Sequence, residues 1–189
     1  MKLIVGLGNP TPDYKNTRHN LGANAIIQMA ANFSGNKDAW QDWREQGQVA
    51  DLKIHNQAVK LFQPASFMNL SGDPIKKLLS FYKVSTEDLW VVHDDLDLPA
   101  GSIRLSFGRN AAGHNGVQNI IDELGTKNFW RWRLGIGKPT NAIPTDKFVL
   151  LPFTTVEKNE MINFTKEAAQ KITQALEVGT DTFINSFNQ

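Results

Sequence analysis

No cysteine occurs among the 189 residues of this chain. Disulfides, thiolate zinc sites and a cysteine nucleophile are thereby excluded. No apolar run approaches the roughly 20 residues that a membrane-spanning helix needs. No N-terminal stretch combines the charged, apolar and cleavage-site parts of a secretory signal. Charge of one sign is not in excess either: the formal net charge is +1, which neither demands nor forbids a polyanionic partner. The expectation is a soluble, cytoplasmic protein, its length fitting one domain with a proper core.

Catalytic signatures are missing too. There is no G-x-S-x-G elbow for a serine nucleophile, so water is the natural nucleophile for any hydrolysis. No H-E-x-x-H or paired-histidine helix spacing marks a metal site. The opening "MKLIVGLGNPTPDYKNTRHNLGANAII" begins a G-x-G-x-x-G fingerprint without completing it: Gly6 and Gly8 follow an apolar run, but Thr11 stands at the third glycine. Pro10 also removes a backbone N–H that a phosphate cradle would use. Dinucleotide binding is a poor reading, so the glycine turn needs another purpose.

What is present is an alternation of strand-like and helix-like stretches. Residues 2–7 read as a strand, and Leu21 to about Phe33 has apolar residues at helical spacing. "GQVADLKIHNQAVKLFQP" reads as a β-hairpin turning around Asn56. A helix is expected from Asn69 to about Tyr82, with Pro74 near its start. "LWVVHDD" reads as a buried strand and "SIRLSF" as an alternating one; "HNGVQNIIDELG" is a helix ended by Gly125, and "WRWRLGIG" a further strand. Residues 137–146 read as a surface loop, and Thr155 to Gly179 as a long amphipathic helix. The pattern predicts an α/β fold: one domain over residues 1–189, a mixed twisted β-sheet flanked by helices.

Open α/β sheets bind ligands at the carboxyl ends of their strands. Four polar stretches fall beside predicted strand ends or helix starts: Asn9-Pro10, Phe67-Met68-Asn69, His93-Asp94-Asp95 and Gly113-His114-Asn115. His19 precedes a helix, whose positive end favours a neutral imidazole, as a general base must be. Position alone also fits a histidine that only caps that helix. Asp94, ending an apolar strand, is placed to accept a hydrogen bond from His19 and stabilise the imidazolium formed in reaction. The "DDLDLP" run also reads as an ordinary acidic turn, lacking the glycine and distal glutamate of an EF-hand. His19, His93, Asp94 and His114 could instead hold a metal. Asn9, Asn69 and Asn115 offer neutral donors and an acceptor suited to a peptide carbonyl or an oxyanion.

The segments "VGLGNPTPDYKNTRHNLG", "FMNLSG", "HDDLDLPAG" and "GHNG" together resemble bacterial peptidyl-tRNA hydrolase, in order and similar spacing from residue 2 to about 150. The resemblance implies hydrolysis of the ester joining a peptide to the terminal adenosine of tRNA, by a monomer with no metal or organic cofactor. It makes His19 the base that activates water and Asp94 its support, with Asn9 and Asn69 in the catalytic set. Tyr14, Asn20, Met68, His114 and Asn115 fall on cleft-side positions. Arg133 matches a basic position associated with tRNA contact, with Arg104 and Arg109 as further candidates. Thr11, Arg109 and Ala112 stand where glycine is usual, and Ser106 where a basic residue often sits. An RNA-binding relative without turnover and a small-molecule ester or amide hydrolase are the rival readings.

Overall fold

Leu3, Ile4 and Val5 are all buried, with Leu3 and Val5 in one apolar cluster and Ile4 in another. Such a split is the period-two signature of a central strand covered on both faces. The computed structural model describes residues 1–34, 39–139 and 142–187. Its strands are β1 (Lys2–Gly6), β2 (Trp40–Asp42), β3 (Gly47–Ile54), β4 (Gln57–Pro64), β5 (Leu89–Asp95), β6 (Ile103–Phe107) and β7 (Trp130–Gly135). The helices are α1 (Leu21–Ser34), α2 (Gly72–Tyr82), α3 (Asn115–Leu124), α4 (Thr145–Leu150), α5 (Thr155–Val178) and α6 (Thr180–Phe187).

One seven-stranded sheet runs in the order β2-β3-β4-β1-β5-β7-β6. The central strands β4, β1, β5 and β7 are parallel, and antiparallel pairs finish both ends. This is the mixed α/β sheet expected. The hairpin between β3 and β4 turns through His55 and Asn56, both at positive φ (46° and 63°), the twist that a two-residue hairpin loop requires. α1, α5 and α6 cover one face through Ile26, Ile172 and Phe183; α2 and α3 cover the other through Leu78 and Ile120.

The opening glycines answer to packing. A methyl group at Gly22 would overlap the Val92 carbonyl, and one at Gly6 would lie 2.6 Å from the Gly22 carbonyl oxygen. Helix α1 therefore rides directly on β1 and β5, and the Ala23 amide donates to the Leu7 carbonyl at 2.9 Å. Thr11 is accommodated easily: its φ of −79° is ordinary extended backbone.

Two boundaries differ from expectation. α2 starts at Gly72, because Met68–Leu70 form a separate 3-10 turn and the Asn119 side chain accepts from the Gly72 amide at 2.8 Å. Within the expected 137–146 loop, α4 already begins at Thr145, while positions 140 and 141 lie outside the described residues. α4, α6 and the short β2 carry too little periodicity to be read from sequence.

Candidate active site

The strand order reverses around β1, between β4 and β5, which opens a crevice at the carboxyl ends of these parallel strands. β5 delivers Asp94 there, 2 % exposed, and a 3-10 turn (Arg18–Asn20) delivers His19, 8 % exposed, just before α1. Nδ1 of His19 lies 2.9 Å from Oδ1 of Asp94. Nε2 of His114 reaches the same oxygen at 3.1 Å. His114 is the N-cap of α3, and its Nδ1 accepts from the Val117 amide at 3.2 Å. That bond fixes the tautomer: the His114 proton is on Nε2 and is donated to Asp94.

Burial by itself would raise the Asp94 pKa, but His114 and then His19 outweigh it and hold the carboxyl far below the usual carboxylate range. Asp94 is therefore an ionised acceptor, His19 donates to it from Nδ1, and Nε2 of His19 is the nitrogen left to take a proton. His93 sits behind this pair with its ring 4.7 Å from that of His114. Its Nδ1 donates to the Asp94 carbonyl at 2.7 Å, and burial, followed by the nearby His114, pushes its pKa well down. His93 is a neutral supporting residue.

Asn9 and Asn20 interlock. Asn20 Oδ1 accepts from the Asn9 amide and its Nδ2 donates to the Asn9 carbonyl, both at 2.9 Å. Asn20, expected on the cleft side, has both ends of its amide engaged by the Asn9 backbone. Oδ1 of Asn9 in turn accepts from the Met68 amide at 2.9 Å, leaving Nδ2 without a protein partner among the described residues. Met68 is buried against Gly116, the residue after Asn115, where a methyl group would overlap its sulfur. Asn69 and Asn115 flank this contact with exposed side chains that make no hydrogen bond among the described residues. The sequence-predicted asparagines are thus brought together, Asn9 fixed and the other two free.

His19, Asp94, His114 and Asn115 line a cavity of about 250 Å³, closed on another side by Thr145 and Val149 of α4. Tyr14 is half-buried in a 3-10 turn (Pro12–Tyr14) and does not line it. A second, wider cavity of about 980 Å³ is lined by Arg104, Arg109, Arg131 and Arg133. The "WRWR" alternation builds it: Trp132 enters the core on the α6 side, while Arg131 and Arg133 face the other way. Arg133 is paired to Asp95 at 2.6 Å, whereas Arg104 and Arg109 are exposed and make no ion pair among the described residues. Ser106 adds a buried hydroxyl without a hydrogen-bond partner among the described residues. Asp95 stands in the His93-Asp94-Asp95 stretch and Arg131 among the basic residues near Arg133, but neither receives a site role from sequence; the two-residue spacing from Arg133 and the double aspartate are the available signals.

Ligand atoms of His19, Asp94 and His114 all lie within 4.8 Å of one another, the donor set of a divalent-cation site. The same atoms are used here for hydrogen bonds, with both imidazoles presenting N–H to the carboxylate.

The family model described as peptidyl-tRNA hydrolase matches residues 3–189. The chain belongs to the peptidyl-tRNA hydrolase family. A peptidyl-tRNA hydrolase of Geobacillus thermodenitrificans is 40 % identical over 189 residues, covering all of both chains. That of Desulfitobacterium hafniense is 39 % identical over 191 residues, again covering both completely. Among solved structures, the crystal structure of peptidyl-tRNA hydrolase from Acinetobacter baumannii superposes with a TM-score of 0.86 at 32 % identity, covering 98 % of this chain and 93 % of that one. Family membership thus spans the whole chain, including the C-terminal helices where the sequence motifs fade.

Proposed function

We propose that the chain hydrolyses the ester bond of peptidyl-tRNA, releasing peptide and free tRNA, as a monomer in the cytoplasm. The observation that carries this is the shared Asp94 oxygen: it accepts a hydrogen bond from Nδ1–H of His19 at 2.9 Å and so leaves Nε2 for proton abstraction. Water attacks the ester carbonyl carbon as Nε2 of His19 removes its proton, and Asp94 stabilises the imidazolium. The tetrahedral intermediate then expels the ribose oxygen, which takes the proton back from His19. Amides of Asn9, Asn69 and Asn115 hold the peptide carbonyls and the oxyanion, which suits a neutral substrate backbone. Met68 forms an apolar wall. Arg104, Arg109 and Arg133 take the acceptor-end phosphates of the tRNA.

The His19–Asp94–His114 cluster favours one second reading, a metal-assisted hydrolase. Against it stands the tautomer of His114, whose Nε2 lone pair is occupied by a proton. Release of N-acetyl-amino acid from N-acetyl-aminoacyl-tRNA separates the readings. Turnover should survive EDTA, and His19→Ala should lower it about 100-fold or more with tRNA binding near wild type. Loss of turnover in EDTA supports the metal reading. A folded wild type that binds tRNA and releases nothing is an RNA-binding relative instead.

A further inference from the structure

Arg131 is 2 % exposed, yet it makes no ion pair among the described residues, the nearby Asp95 being taken by Arg133. Burial and its neighbours Arg133 and Arg109 lower its pKa to about 10. A buried guanidinium without a counter-ion is costly, and an apolar side chain would fill the same space at less cost. What Arg131 does is donate to two successive main-chain carbonyls, that of Asn110 at 2.9 Å and that of Arg109. Those carbonyls begin the loop that ends at His114. The loop continues through Ala112 and Gly113, both at positive φ (50° and 81°). It closes with the His114 amide donating to the Ala111 carbonyl at 3.0 Å. The imidazole so delivered is the second donor to Asp94.

We propose that Arg131 is a positioning residue: by clamping the carbonyls of Arg109 and Asn110 it sets the loop that holds His114 on Asp94, and through Asp94 the orientation of His19. The inference rests on the hydrolase reading above. Lysine at position 131 keeps the charge but cannot span two carbonyls in a fixed fork. Arg131→Lys should therefore lower kcat about tenfold or more, the scale of a small misplacement of catalytic groups. Its Kd for tRNA should stay within about twofold of wild type, since the cleft's charge is unchanged. In a His114→Ala background the same substitution should add less than about twofold, because the loop no longer carries the group it positions.

An equal loss in both backgrounds overturns the proposal, as does weaker tRNA binding with kcat unchanged. If the lysine variant does not fold, Arg131→Gln, which keeps an N–H donor, is put through the same double-mutant comparison. A second readout is independent of activity: the imidazole proton that His114 donates to Asp94, followed by ¹H–¹⁵N NMR. That signal should shift or broaden in Arg131→Lys and stay in place in Arg104→Ala, whose side chain lines the same cavity. An unmoved signal in Arg131→Lys overturns the clamp. A wild type without turnover overturns the hydrolase reading and leaves the NMR comparison standing.

Discussion

Asp94 is the residue on which the rest of the site depends, because a single oxygen receives both His19 and His114. Asparagine at this position would keep the shape and present an N–H or a neutral oxygen in place of the anion, leaving the His19 tautomer and its imidazolium unsupported. Asp94→Asn should lower kcat by at least about 100-fold while leaving tRNA affinity near wild type, as measured by single-turnover hydrolysis beside a tRNA titration. His19 and Asp94 stand out in sequence as candidates at a helix start and a strand end, and the resemblance to the family gives them their expected roles. Their hydrogen bond is expected, but with 75 positions between them its geometry, Nδ1 of His19 on Oδ1 of Asp94, comes only from the fold. Asn20 shows the opposite case. Its motif position suggested substrate, while the structure spends its amide on the Asn9 backbone.

At the scale of elements, the proposed mechanism depends on how closely α1 approaches the sheet. His19 precedes α1 and Asp94 ends β5, so the seat of α1 on β5 sets their separation. Gly22 is the point of closest approach, against the Val92 carbonyl. Gly22→Ala should cost about 1–3 kcal/mol of stability by overpacking and should also lower kcat, read by urea unfolding and by hydrolysis assays.

The start of α5 is tied to the same region. Thr154 and Glu157 form a capping box, and Glu157 accepts from the Arg18 guanidinium at 2.6 Å, one residue before His19. Burial raises the Glu157 pKa somewhat, but the Thr154 hydrogen bonds and Arg18 outweigh it, so the net shift is downward. A depressed carboxylate contributes stability that is present above its unfolded value and lost as pH falls through its folded value. Glu157→Ala should therefore cost about 1 kcal/mol near neutral pH. The gap to wild type should close as the pH drops below about 4, measured by denaturant unfolding across that range. In sequence, the amphipathic pattern from about Thr155 already placed this helix, but not that its cap reaches the turn carrying His19.

Over the whole molecule, charge is nearly balanced, so any preference for a polyanion must come from local arrangement. The arginine-lined cavity is the local arrangement that the proposed function assigns to it. Its members differ in how free their charge is: Arg133 is already paired with Asp95, while Arg104 is exposed and unpaired among the described residues. Arg104→Ala should lower the salt slope of tRNA binding by about 1, and Arg133→Ala by less. Binding titrations at several salt concentrations check this. A larger effect at Arg133 would mean that its pair with Asp95 opens on binding.

The alternation of apolar and helical stretches, the glycine turn, the hairpin at Asn56 and the helix stop at Gly125 were determined by the sequence itself. Each depends on side-chain period or on backbone freedom within a few residues. So were the four polar segments, since strand ends and helix starts are local features. Which of those segments touch was decided only by tertiary structure. Strand order β4-β1-β5 places the Asn9 turn, Asp94 and the Met68 turn in one crevice, and no local signal encodes strand order. Ala112 and Arg131 belong to the same class. A left-handed alanine and a buried cation without a counter-ion among the described residues contradict local preference, and the loop ending at His114 on Asp94, which Arg131 is proposed to set, gives them a physical reason.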